Sequence, residues 1–412
     1  MIGVADARVI WHSRGMTRPP PNLSSDATID RPTNWLLVAL IFCGGLLAAA
    51  QFGKIILTLP DVSATFARPV TAVAFLVSMV GIIGLTLGPM AGGIAAGFGI
   101  GRTFLTGLIL GGIVSFVQAF LPPLWLFAAS RGVEGVAHLA LVVAGPPLMA
   151  GAASDKDRPL VMGLWAVFFG ASLALSAQIF PPILAAGGLP MLFALHGALL
   201  LVMAAVLWRI IPRLKRMPID LNPIAVHREI YGSIRFMAPG LGFVCYTFLF
   251  IAAIAFLPGA LDRPALATIL PLVTLISTLA GGALCKRFRP HHVGALGYAG
   301  VVLCVAALAL GLPGAVEGMF ISMGLIPGAS FASIPAWNVS PGDRARATGA
   351  IAQLGNLGTV TGTPIFALVW AGAGLSGLLW LMGGVAVSGL MLGLWSGQRA
   401  SGRAARDVVN VP

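Results

Sequence analysis

The sequence predicts an all-α membrane protein of twelve transmembrane helices arranged as two pseudo-symmetric six-helix bundles. Three observations carry this. First, of 412 residues 58% are hydrophobic and only 9% charged, with a mean hydropathy of +0.95, whereas a water-soluble chain carries about a quarter charged residues. Second, a bilayer core of ~30 Å takes about 20 helical residues, so twelve spans need roughly 250, and the chain holds about that many apolar positions. Third, a hydrophilic stretch at 209–235 divides the apolar runs six and six.

Apolar runs bounded by Pro, Gly or charge place the first six spans near 35–57, 70–92, 103–121, 124–150, 160–180 and 189–208. The second six lie near 236–257, 265–285, 293–312, 316–338, 348–371 and 375–396. This gives a polar Pro-rich tail at 1–33, read as disordered and not as a signal peptide. A bundle at 34–208, the linker at 209–235, a second bundle at 236–397 and a tail at 398–412 follow. With the N-terminus inside, 21 Lys and Arg fall on inside segments and only Arg68 and Arg263 outside, while Lys54 and Arg131 lie within spans. That asymmetry puts both termini in the cytoplasm. The formal charge of +12 is scattered in short clusters between spans, which suits topology and not nucleic-acid binding. Cys43, Cys245, Cys285 and Cys304 have no metal-site spacing and read as small apolar residues.

The halves repeat a phrase. Asp157-Arg158 precedes Gly163 after span four, and Asp343-Arg344 precedes Gly349 at the same offset after span ten. These residues, with Arg102, are the expected cytoplasmic gate. A second echo, "GGIAAGFGIGR" at 92–102 and "GALCKRFRP" at 282–290, places a Gly-initiated turn before basic residues in each half. Parallel repeats imply a substrate site near the midplane between halves.

Over nearly its whole length the sequence resembles the major facilitator superfamily. Arg131-Gly132-Val133-Glu134-Gly135 looks like the family's RxxxG-type motif in span four, and Gly88-Pro89 with "GGIAAGFGIGR" occupies the place of its loop 2–3 signature. "AAAQFGK", "RGVEGVAHL" and "DRPLVMGLWAVFFG" also resemble a bacterial cyanate or nitroimidazole permease-like branch. The resemblance implies the major facilitator fold, secondary active transport by alternating access and a bacterial inner (cytoplasmic) membrane location. One departure stands out: the acidic position of the loop signature is Ala96 here, and its counterpart is Lys286. Losing the carboxylates that the family uses to close the cytoplasmic side shifts the expected resting state toward inward-facing.

Arg131, Glu134, Gly135 and His138 share one helical face. Counted inward from Leu124, Arg131 lies about 10 Å deep and Glu134 about 15 Å. A cation at that depth costs at least about 2.5–3.5 kcal/mol and needs a partner. Glu134 is the nearest; the pair is either a structural ion pair or a proton-coupling site whose carboxylate switches protonation as a cavity dries and wets. Gln51 and Lys54 lie at the outer end of span one, where Lys54 either snorkels to the interface or steers an anion. Together with Gln51, Lys54, Arg131 and His138, the candidate substrate-binding residues are Tyr246 in span seven and Asn356 and Thr359 in span eleven, the last two equally suited to helix packing. Gly88xxxGly92, Gly93xxxGly97, Gly107xxxGly111 and Gly358xxxGly362 allow close helix approach.

Other patterns fail. Gly372–Gly377 spells GxGxxG without a preceding strand, and His291-His292 reads as a solvated loop with no metal-ligand spacing. No phosphate-binding GxxxxGK[ST] occurs, so no cofactor is expected and a proton or other ion gradient must drive transport. No enzyme is expected. The leading expectation is a monomer in membrane lipid, without nucleic-acid partners, taking up a small organic or inorganic anion with protons. The alternatives are a proton-coupled exporter of drugs or amphipathic toxic compounds, and a non-transporting scaffold or sensor.

Overall fold

The computed structural model describes residues 32–154, 156–211, 222–338 and 341–409, and all their regular structure is helical. The expected tail falls almost wholly outside the described residues, as do 212–221 of the linker.

Helix α1 (Trp35–Ile56) starts where the Asn34 side chain accepts from the Leu37 amide at 3.0 Å, satisfying one of the four unpaired N–H groups of a helix start. Two short helices, α2 (Leu59–Thr65) and α3 (Val70–Val73), cap the far end of the molecule before α4 (Phe75–Phe98) returns. The sequence places a turn at Gly92-Gly93, but the helix runs through both and stops at Gly99, whose φ of +103° suits glycine alone. Pairs of glycines inside a long apolar helix cost about 1 kcal/mol each and do not break it when flanking turns are secure. Next come α5 (Ile100–Ala119), α6 (Leu124–Ala152) and the short α7 (Arg158–Ala166).

Helix α8 (Phe168–Ile210) has 43 residues, about 65 Å if straight and twice a bilayer core. It is broken at Gly187 and Gly188, the latter at φ +63°. Ser172 Oγ donates to the Leu46 carbonyl at 2.7 Å, and His196 Nε2 lies 3.0 Å from the Leu47 carbonyl. Residues 24 apart thus meet adjacent carbonyls of α1, so the chain doubles back at the glycines.

After the linker helix α9 (Pro223–Tyr231) follow α10 (Ile234–Ala260), α11 (Leu266–Leu284), α12 (Pro290–Ala309) and α13 (Ala315–Trp337). Helix α14 (Pro341–Val409) breaks at Gly374, with φ +56°. Gly355 packs on Phe243 while Gly393 approaches Gly242, so α14 also doubles back. Ten described helices are long and apolar enough to cross a membrane; counting α8 and α14 as two passes each makes twelve.

Packing differs between the two ends. At the far end Phe52, Ile55, Leu59 and Val80 of the first half share one core with Leu249, Leu257, Phe320 and Phe366 of the second. At the end bearing the chain termini the cores are separate: Leu37, Ile41, Phe104 and Trp165 in the first half, with small clusters around Ala238 and Ile334 in the second. The halves meet along α4 and α14, where Gly84 admits the Asn356 side chain, Gly349 fits over Pro89, and Gln353 Nε2 donates to the Leu85 carbonyl at 3.0 Å. They also meet through α8 and α11, where Gln178 Nε2 donates to Thr268 Oγ1 at 2.6 Å.

Candidate functional site

A charged cluster lies wholly inside the first half. Gly135 of α6 allows it: a Cβ there would come within 2.6 Å of the Val80 carbonyl, so α6 lies directly against α4 and turns Arg131 and Glu134 inward. Arg131 Nε donates to the Leu76 carbonyl of α4 at 3.2 Å. Its Nη1 is paired with Glu134 Oε2. Lys54 Nζ, from α1, lies 2.6 Å from Glu134 Oε1. One carboxylate therefore bridges two cations, one on each oxygen, and Lys54, Arg131 and Glu134 are all fully buried.

A shell of neutral groups completes the cluster. Lys54 also donates to Gln118 Oε1 at 2.7 Å and Ser115 Oγ at 3.0 Å, and its ammonium sits 5.1 Å from the Phe193 ring centroid. Gln118 Nε2 donates to Glu134 Oε2 at 2.8 Å and Ser130 Oγ at 3.2 Å. The Ser115 hydroxyl reaches the Phe193 carbonyl at 2.8 Å and His196 Nδ1 at 3.2 Å. Beside this shell, Arg131 Nη2 and both amide atoms of Gln51 are buried with no hydrogen-bond partner among the described residues. A site with one carboxylate, two cations and spare donors has a formal charge of +1.

Lys54 is where the structure departs most from the sequence reading. It neither snorkels nor opens on a vestibule here. It is fully buried among Ser115, Gln118 and the Phe193 ring, and Glu134 offers a stronger partner than the interface. His138 lies on the same α6 face, with Nδ1 2.9 Å from the Ala48 carbonyl and its ring edge-on to Phe52. Ser115, Gln118 and Ser130 escaped the sequence reading, although Ser115 and Gln118 at i and i+3 in the otherwise apolar second half of α5 were a usable signal.

The other candidates are not brought to this cluster. Tyr246 stacks between Phe243 and Phe250 in the second half, at centroid distances of 5.3 and 5.2 Å. Asn356 fills the glycine groove of α4, its Nδ2 donating to the Ala352 carbonyl at 2.7 Å, and Thr359 donates to the Gly355 carbonyl at 3.1 Å. Both make packing contacts. Among the expected gate residues, Asp157 accepts from Thr33 Oγ1 at 2.6 Å, and Arg344 Nε donates to the Asn338 carbonyl at 3.0 Å. Asp343 lies 3.8 Å from Arg346, which pairs at 2.7 Å with Glu229 of the linker helix. Arg158 begins α7 and is exposed, as is Arg102 in the first turn of α5. Glycines of the repeated phrase also differ, since Gly349 packs on Pro89 and Gly163 faces open space. Gly92 and Gly93 likewise meet nothing, whereas Gly358 and Gly362 lie against the α10 backbone.

Comparison with known proteins places this geometry in context. A family model described as Major Facilitator Superfamily matches residues 41–340. A bacterial homolog of the human lysosomal transporter Spinster, in an inward-facing and unoccupied conformation, superposes with a TM-score of 0.66 at 15% identity, over 90% of this chain and 98% of that one. The human organic anion transporter MFSD10 (TETRAN) gives 0.64 at 18% identity, over 88% and 100%. The same Spinster homolog, inward-facing and occupied, gives 0.62 at 15% identity, over 91% and 97%. No curated protein sequence matches.

Proposed function

The chain belongs to the major facilitator superfamily and is an integral membrane transporter, and we propose that it moves a small anion together with protons by alternating access, using the Lys54–Glu134–Arg131 cluster. The observation that carries this is the single carboxylate held between two buried cations. A proton on Glu134 would leave Lys54 and Arg131 side by side without a counter-charge, at a cost of several kcal/mol. An incoming anion supplies that charge. Proton and anion therefore each favour the other's binding, which is the reciprocal linkage a symporter needs. A structural neighbour described as an organic anion transporter agrees with this substrate class.

The 21-to-2 distribution of Lys and Arg supports a cytoplasmic placement of the terminal end, and the resemblance to a bacterial permease-like branch supports a bacterial inner membrane as its location. The shared far-end core then seals the periplasmic side, and the separate terminal-end cores belong to an inward-facing state. The absence of an acidic residue at Ala96 and Lys286 is in keeping with that preference.

The test is uptake into proteoliposomes under an imposed proton gradient. Glu134→Gln should abolish uphill accumulation of the anion while leaving exchange partly intact, and Lys54→Gln should raise its KM. Unchanged gradient-driven accumulation by Glu134→Gln would remove the cluster from coupling.

A further inference from the structure

The last helix does not end with the membrane. Counted from the break at Gly374, the second pass of α14 reaches Trp395 after about 30 Å, the thickness of a bilayer core, yet the helix continues to Val409. One face holds the extension in place. A Cβ on Gly397 would collide with His291, which the sequence suggests as part of a solvated loop but which is the second residue of α12 and buried. Ala400 is fully buried and, with the partly buried Ala404, packs on Ala238 of α10 and Trp337 of α13. The Trp337 Nε1 donates to Ser401 Oγ at 3.1 Å. Small residues at steps of three and four therefore dock the extension against the second half as a continuation of the span.

The opposite face carries another pattern. Leu392, Trp395, Arg399 and Arg403 follow at steps of three, four and four, so they form one stripe turned away from Gly397, Ala400 and Ala404. Arg406 occupies the next position of that stripe. Leu392 and Trp395 are exposed apolar residues on the outside of the bundle, and Arg399 and Arg403 are exposed beyond them. Between Gly374 and Arg406 there is no Asp or Glu.

This stripe changes character at the depth where a bilayer does. Tryptophan is favoured at the membrane–water interface, and Arg399 lies one turn further out, about 6 Å, within the headgroup layer. In a helix every Cα–Cβ bond tilts toward the N-terminus, which for α14 means back toward the membrane. Arg399 follows that tilt, its guanidinium lying over the Trp395 ring at 4.6 Å from the centroid. A planar guanidinium seated face-on to an aromatic ring keeps its N–H edge for a phosphate. A zwitterionic headgroup brings an ammonium of its own, which two arginines repel, so the charge pattern selects a headgroup with net negative charge.

We propose that this stripe binds an anionic phospholipid in the leaflet at the terminal end, with Arg399 and Arg403 on the headgroup phosphate, Trp395 at the interface and Leu392 against the acyl chain. The surface lies in the second half, apart from the Lys54–Glu134–Arg131 cluster, and binding to it is read without any transport measurement.

Thermal unfolding of the purified full-length protein in detergent is followed while phosphatidylglycerol or phosphatidylcholine is titrated. Phosphatidylglycerol should raise Tm at the lower concentration, and its advantage should shrink as salt is added. One basic residue near a membrane surface is worth about fivefold in affinity, so Arg399→Gln with Arg403→Gln should raise the half-saturating concentration of phosphatidylglycerol about thirtyfold. Arg399→Lys with Arg403→Lys, which keeps both charges, should retain most of the preference. Arg263→Gln, at the far end, should leave it unchanged. Equal responses to the two lipids, or a double Gln variant that prefers phosphatidylglycerol as strongly as the unaltered protein, would overturn the proposal.

Discussion

Replacing Glu134 by Gln should destabilise the protein more than replacing Lys54 by Met, and the double variant should be more stable than Glu134→Gln alone. Glu134 is the sole counter-charge to two fully buried cations, one on each oxygen. Removing it strands both, and breaking a buried pair in this way costs about 3–5 kcal/mol. Lys54→Met leaves Glu134 with Arg131 and Gln118, and the cluster becomes formally neutral. Its losses are the ion pair to Glu134 Oε1 and the hydrogen bonds to Gln118 Oε1 and Ser115 Oγ, together about 1–3 kcal/mol because Glu134 keeps Arg131 and Gln118 on Oε2 and Ser115 still reaches the Phe193 carbonyl. The single variants thus differ by roughly 2 kcal/mol. In the double variant only Arg131 is stranded, so adding Lys54→Met to Glu134→Gln gains stability. Thermal unfolding in detergent, followed by intrinsic fluorescence, measures the order; about 2 kcal/mol corresponds to a few degrees in a chain of this size. The exposed Arg263–Glu317 pair is the control, since Arg263→Gln should cost under about 1 kcal/mol. Equal Tm values for Glu134→Gln and Lys54→Met, or a double variant no better than Glu134→Gln, would refute the charge argument.

Gly358→Ala should destabilise by about 1–3 kcal/mol, because its Cβ would strike the Val244 carbonyl and lie 2.8 Å from the Phe248 amide nitrogen, backbone atoms that cannot step aside. Gly92→Ala, facing open space, should instead stabilise by up to about 1 kcal/mol through helix propensity, and equal shifts in Tm would deny the difference in packing. A water-soluble maleimide should label Cys285, at the end of α11 beside the basic segment 286–289, faster than Cys245, buried in the far-end core. Faster labelling of Cys245 would show that the far end is open.

What the sequence disclosed and what it concealed follow from the range of the interactions involved. Hydropathy is local, so the spans and the breaks near Gly187 and Gly374 were legible from apolar runs and their boundaries. Helical periodicity is local too, which is why Arg131 and Glu134 could be paired from their spacing alone. Glycine motifs were half legible. The spacing at Gly358 and Gly362 marks a true contact, while Gly92 and Gly93 carry the same spacing pattern and touch nothing. Spacing says that a helix could be approached closely, and only the neighbouring helix decides whether it is.

Lys54 shows where one-dimensional reasoning stops. Measured along its own helix it stands near the membrane surface, and from that depth an interfacial position is the cheaper one. Depth along one helix, however, does not fix exposure in the bundle when neighbouring helices close around the side chain, as the helices bearing Ser115, Gln118 and Phe193 do here. Nor does it reveal that α6 presents a carboxylate at the same level. The energetic decision is pairwise: an ammonium with three hydrogen-bond partners, one of them anionic at 2.6 Å, is better placed than one reaching for water. The pairing also changes what Glu134 can do. Held by Arg131 alone it would be a simple ion pair, neutral overall. Held by Lys54 as well, it sits in a cluster with one positive charge in excess, and that excess is what makes an anion the natural companion of its proton.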